Sequence, residues 1–248
     1  MSCVLILAVD TSSPAGSLAV LKGTRTIGTV AAWTAELYSS RMFRQLEFLL
    51  RELSLSMNDF ELFTVANGPG SFTGLRVGLT AVKGWAEVHG KAIAAVSTLE
   101  AVAVQSHSDA TCLVSLLDAR RGQVYFAFYR RTGSLADSAL AIEGKEQVGA
   151  PAELLKQLES KFDGEDVTIA TPVPELIEAS LSCCETSRGA PNHPRVRIEE
   201  VSPTLAPYVG RLGLSHAQQG RLTDSLKLDA NYIRPSDAEV RWKASTGS

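Results

Sequence analysis

The stretch Asn67-Gly68-Pro69-Gly70-Ser71-Phe72-Thr73-Gly74-Leu75-Arg76-Val77-Gly78 decides how this chain is read. It follows the apolar, strand-like run Leu62-Phe63-Thr64-Val65-Ala66. It leads into a helical pattern that ends near His89, with Gly90 as its stop. Gly68, Pro69 and Gly70 are turn residues that let the backbone reverse sharply and approach another group closely. Ser71 is a good N-cap, and the helix it opens presents free N–H groups at the positive end of its dipole. Gly68, Gly70 and Ser71 are therefore candidates for an anion-binding turn. The alternative is a plain strand–turn–helix junction.

Toward the N-terminus, an apolar run from Cys3 to Val9 meets the turn Asp10-Thr11-Ser12-Ser13-Pro14-Ala15-Gly16. Ser17 to Leu21 and Thr26 to Trp33 then read as returning strands of antiparallel hairpins. Asp10, Thr11 and Ser12 supply a carboxylate, two hydroxyls and backbone amides, which suit a nucleotide phosphate or its metal ion. They equally suit an Asx-type turn that satisfies its own backbone. A related arrangement returns about a hundred residues later: Cys112 to Leu117, then Asp118, the turn Ala119-Arg120-Arg121-Gly122, and a strand from Gln123 to Tyr129. The repetition predicts an internal duplication in an α/β chain. Asp118, Arg120 and Gly122 are expected to form a structural turn, with the two charges paired.

Helical spacing is clearest from Tyr38 to Leu53, where Met42, Leu46, Leu49, Leu50 and Leu53 share a face. The opposite face holds Arg41, Arg44, Arg51 and Glu52 with Phe48 among them, either an incidental aromatic or an anchor for a partner. After Ser71, Leu75, Leu79, Val82 and Ala86 form one stripe, and Gly74, Gly78, Ala81, Trp85 and Val88 another. Two apolar stripes predict a helix buried on most sides or shared with a second chain. Glycine inside a helix costs about 0.5–1 kcal/mol relative to alanine, so close packing against another helix is the expected compensation. Further on, the chain reads as a helix over Pro151–Lys161, a strand over Val167–Ala170, a helix over Pro174–Cys183, an exposed loop from Glu185 to Arg195 and a late helix near Leu205–Gly220. The expected division is an N-terminal lobe, 1–105, completed by a C-terminal helix at about 205–235, a second lobe at 106–204, and a loose tail at 236–248.

The 248 residues carry a net charge of −3 and are 45% hydrophobic, a balance unsuited to gripping nucleic acid alone. The start lacks a basic region and no apolar run nears the ~20 residues of a membrane span, so a cytoplasmic chain with no membrane contact is expected. The adjacent Cys183-Cys184 suits redox or metal chemistry, or simply two packed thiols. The glycine run lacks the Gly-Lys-Ser/Thr ending of a phosphate loop, and no nicotinamide fingerprint or Gly-x-Ser-x-Gly elbow occurs. His89, His107, His193 and His216 lie far apart. Neither a metal site nor a catalytic centre is expected from this pattern.

VDTSSPAGSLAV (9–20), NGPGSFTGLRVGLTAVKG (67–84), VSTLEAVA (96–103) and LLDARRGQVYFAFY (116–129) resemble, in order, the bacterial TsaB (YeaZ) family. The likeness resumes weakly at Tyr232-Ile233-Arg234. It implies the actin-like, sugar-kinase and heat-shock-chaperone ATPase fold (ASKHA), with two RNase-H-like lobes of mixed sheets flanked by helices. It also implies a role in forming N6-threonylcarbamoyladenosine at position 37 of tRNAs reading codons that begin with A. In that pathway a TsaD-like catalytic paralogue holds the metal and transfers the threonylcarbamoyl group, and a TsaE-like P-loop ATPase joins the assembly. TsaB is the non-catalytic partner and meets tRNA only indirectly. No cofactor is required by the resemblance, and weak ATP or ADP binding at the Asp10 and Gly68 turns stays open. Family interfaces lie on N-terminal helices, which nominates Arg41, Phe48, Gly74, Gly78, Ala81 and Trp85 for TsaD-like pairing or a homodimer. On that reading Gly78→Leu abolishes pairing and leaves the monomer folded. Many relatives carry His-Ser where this chain has Tyr38-Ser39. An autonomous ATP-dependent phosphotransferase of the same fold is the competing reading.

Overall fold

Continuous burial marks the first strand, β1 (Leu5–Asp10), as the centre of a sheet covered on both faces. The computed structural model describes residues 4–34, 38–132, 140–162, 164–184 and 195–234. β2 (Ser17–Lys22) pairs antiparallel with β1, Asp10 opposite Ser17, and β3 (Arg25–Ala31) pairs antiparallel with β2. β4 (Leu62–Gly68) lies parallel to β1, and β5 (Ala92–Ser97) parallel to β4, which gives the order β3-β2-β1-β4-β5.

Two helices cover one face. α1 (Tyr38–Glu52) buries Met42, Leu46 and Leu49, and α2 (Phe72–His89) buries Leu75, Leu79, Val82 and Ala86. These side chains share a core with Leu7, Val9, Phe63 and Val65. The Ser71 hydroxyl accepts the Gly74 N–H at 3.3 Å, and Gly90 ends α2 in the left-handed region at φ 59°. Both ends therefore follow the capping chemistry read from the sequence.

The second unit repeats the design. After α3 (Thr98–Ala103), β6 (Cys112–Arg120) and β7 (Gln123–Arg131) form an antiparallel hairpin, and β8 (Leu140–Ile142) pairs antiparallel with β7. β9 (Gln147–Gly149) also joins β7. α4 (Pro151–Lys161), β10 (Asp166–Thr171), α5 (Glu175–Cys184) and β11 (Arg195–Glu200) follow, with β10 parallel to both β6 and β11. The order β8-β7-β6-β10-β11 thus reproduces β3-β2-β1-β4-β5 strand for strand, in the same directions. Its core joins Phe126, Phe128, Ile169, Leu154, Leu158 and Phe162.

α6 (Ala206–Gln218) returns to the first sheet and covers its other face, where Ile6, Ala8, Ala19 and Leu21 meet Ala206 and Leu214. Gly210 and Gly213 let it approach closely: a Cβ on either would collide with Leu21 or Thr64. The chain accordingly divides into Met1–Thr98 with Thr204–Ser248, and Leu99–Pro203. Arg195, expected as the end of a loop, begins β11, a strand that the alternating charges of Arg195-Val196-Arg197-Ile198 did not reveal. The rest of that loop and the 236–248 tail lie outside the described residues, as does Cys3.

Cys112 is buried at the start of β6, where its thiol donates to Glu165 Oε2 at 3.1 Å. Burial, and then the neighbouring Glu165 carboxylate, pushes the thiol up to about 12. Iodoacetamide at pH 8 is expected to spare Cys112 in the native protein and to modify it in urea, as read by peptide mass mapping. Labelling of the native protein at the denatured rate would contradict this.

Candidate functional site: a closed turn and a helical face

The two turns singled out in the sequence meet. The Ser71 N–H donates to the Ser12 carbonyl at 2.6 Å. A Cβ on Gly70 would collide with Ser12, one on Gly74 with the Thr11 carbonyl oxygen, and one on Gly78 with the Thr11 hydroxyl. The glycines therefore serve a close approach between α2 and the 11–12 backbone. Gly68 sits at φ 116°, beside Asn231, whose N–H donates to the Asn67 carbonyl at 2.7 Å. This corrects the nomination of Gly74 and Gly78 for a partner surface. Both are buried against Thr11 of their own chain. Gly78→Leu would collide with that residue, so it damages the monomer and cannot report on pairing alone.

Asp10 is fully buried. Its Oδ1 accepts the Ser12 N–H at 2.9 Å and the Ser12 hydroxyl at 2.6 Å, while Oδ2 has no partner. The Thr11 hydroxyl is likewise buried without a partner. Burial pushes the Asp10 carboxyl up to about 6, against the opposing pull of the two Ser12 hydrogen bonds.

Tyr38, which the residue pattern did not single out as part of this turn, closes it. Its hydroxyl donates to the Ser13 carbonyl and accepts the Gly16 N–H at 2.5 Å. The guanidinium of Arg41 lies 4.1 Å from the centre of the Tyr38 ring and donates to the carbonyls of Ala32 and Pro14 at 2.8 and 2.9 Å. Arg41 is only 2% exposed, a second correction to the partner surface. A helical wheel places it among charged neighbours, but two of its guanidinium nitrogens, Nη1 and Nη2, find backbone carbonyls underneath. The N–H groups of Ser12, Gly16, Ser71 and Gly74 thus all have acceptors within the chain.

Of the remaining helical residues, Ala81 and Trp85 are half-buried. The Trp85 ring packs 6.2 Å from Phe63 and edge-on to Phe43 at 6.3 Å. Phe43, which the sequence reading passed over, is 52% exposed and Val88 is 79% exposed, so an apolar patch runs across α1 and α2. Phe48 is also exposed. It borders a cavity of about 220 Å³ lined with Val30, Ala32, Arg41, Arg44 and Gln45.

Asp118, Arg120 and Gly122 stand apart, in the second unit. Asp118 accepts the Arg120 N–H at 2.7 Å and pairs with its guanidinium at 3.2 Å. Arg121 and Gly122 turn the β6–β7 hairpin at φ 57° and 70°, the pair of positive values that a tight hairpin turn demands. Among the described residues, no group of three or more His, Cys, Asp or Glu is placed to hold a metal ion. No described helix is long and apolar enough to cross a membrane.

The family described as "TsaD: tRNA N6-adenosine threonylcarbamoyltransferase" matches residues 21–185. A Haemophilus influenzae protein named tRNA threonylcarbamoyladenosine biosynthesis protein TsaB is 30% identical over 255 aligned residues, covering 100% of this chain and 99% of that protein. A Bacillus subtilis protein of the same name is 27% identical, covering 96% and 97%. Among solved structures, a Pseudomonas aeruginosa protein described as similar to peptidase YeaZ aligns at a TM-score of 0.72, with 22% identity over 93% of this chain and 100% of that one. A ROK family protein from Streptococcus pneumoniae aligns at a TM-score of 0.54 with 9% identity, over 88% of this chain and 100% of that one. The two mixed sheets with flanking helices are those of the actin-like ATPase fold.

Proposed function

The chain belongs to the TsaB (YeaZ) family, and on that premise we propose that it is a non-catalytic subunit in the threonylcarbamoylation of adenosine 37 in tRNA. It pairs with a TsaD-like paralogue, which performs the transfer, and the pair recruits a TsaE-like ATPase in the cytoplasm. The observation that carries this reading is the end-to-end likeness to proteins named for that pathway. The surface in keeping with it is the α1–α2 patch of Phe43, Trp85 and Val88, with Phe48 on the neighbouring side of α1. Burying that patch on the paralogue, or on a second copy of this chain, removes apolar area from water and holds the partner in one conformation.

The chain should co-purify with its organism's TsaD-like paralogue, and tRNA threonylcarbamoylation in a reconstituted mixture should require both. Phe43→Asp is expected to weaken the complex by about 30-fold or more, with the circular dichroism of the free chain unchanged. No complex, together with modification that proceeds when this chain is omitted, would sink the proposal.

A further inference from the structure

We propose that Tyr38 is a built-in occupant of the 10–16 turn, filling the space over Gly16 and taking the Gly16 N–H that a phosphate group would use, so that the folded chain excludes nucleotides. Four observations on the described residues carry this. The Tyr38 hydroxyl sits so close over Gly16 that even a methyl group there would overlap it. The Gly16 N–H points to that hydroxyl at 2.5 Å and is shared with the Ser13 carbonyl at 3.1 Å. The phenol is pushed up to about 12, by burial first and the Asp10 carboxylate second, so it keeps the proton that it donates to Ser13. Arg41 clamps the arrangement, packed against the ring and bonded to the Pro14 carbonyl.

What the plug leaves behind is diagnostic. Asp10 Oδ2 and the Thr11 hydroxyl are buried polar atoms with no partner, a combination that folded proteins rarely retain. A carboxylate and a hydroxyl beside a turn of amides suit a phosphate ester bound with a divalent cation, which would neutralise Asp10. The residues of such a site are present, and α1 holds it shut. This inference concerns the free chain and does not depend on the choice of partner.

The test is equilibrium dialysis of the full-length chain against ATP with magnesium, up to millimolar concentration. The native chain is expected to show no saturable binding. Tyr38→Ala, checked for fold by circular dichroism, is expected to bind at least about tenfold more tightly than the native chain, a gain of about 1.4 kcal/mol or more. If that variant does not fold, Tyr38→His, with its shorter ring, carries the same expectation. Submillimolar ATP binding by the native chain, or a folded variant with no gain, overturns the proposal. Complex formation with the TsaD-like paralogue is read separately, so failure here leaves that reading intact.

Discussion

Gly74→Ala is expected to destabilise the protein by about 3 kcal/mol, although alanine is the better helix former. The propensity gain is about 0.5–1 kcal/mol and acts in the opposite direction. The added methyl would lie closer than 3.0 Å to the Thr11 carbonyl oxygen, a distance real side chains do not adopt. Nothing nearby yields easily. Thr11 follows directly on the Asp10–Ser17 pairing of β1 and β2, and the Ser71–Ser12 hydrogen bond fixes the turn from the other side. Gly84 supplies the internal control. It lies on the same helix with open space around its Cβ position, so Gly84→Ala should stabilise by about 0.5–1 kcal/mol. Urea denaturation of the three proteins measures both effects. A Gly74→Ala midpoint equal to the native one would mean that α2 and the turn are not in contact in solution.

Asp10→Asn is expected to change sign with pH. Burial raises the Asp10 pKa from 3.8 to about 6, so the native state holds this proton more tightly than the unfolded chain. Below about pH 4 both states carry the proton and its position costs nothing. Between about pH 4 and 6 the unfolded chain releases it first, and stability falls. Above that window the full penalty of about 3 kcal/mol stands. Asparagine cannot ionise, and its Oδ1 keeps the two Ser12 donors. Its amide N–H₂ would take the unpartnered Oδ2 position, at a cost of about 1 kcal/mol. The variant should therefore be more stable than the native protein by about 2 kcal/mol at pH 8 and less stable by about 1 at pH 4. Parallel stability curves across that range would show that Asp10 is solvated in solution.

The contrast between what could and could not be read in the sequence has a physical basis. β1, β4 and α2 were legible because continuous apolar runs, a serine cap and a terminal glycine each act within a few residues. The duplicated hairpin was legible for the same reason, and the matching strand order now extends it to whole sheets. Gly74 and Gly78 were legible as sites of close approach, but a missing Cβ does not say what approaches; here it is Thr11. Arg41 misled because periodicity sorts residues by polarity, while a guanidinium can be buried wherever carbonyls await it. Tyr38 carried only its departure from a common His-Ser pattern, and its bonds to Ser13 and Gly16 span more than twenty positions. No local rule reaches that far.

α6 packs on strands that precede it by almost the length of the chain. On the ribosome, β1 to β5 emerge first yet remain uncovered on the face that carries Ile6, Ala8, Ala19 and Leu21 until Ala206 and Leu214 are made. The Leu99–Pro203 unit is contiguous, and all of it leaves the ribosome ahead of α6. Synthesis order and completion order are therefore reversed: the half begun first is finished last, and its unfinished sheet is the surface a nascent-chain chaperone meets.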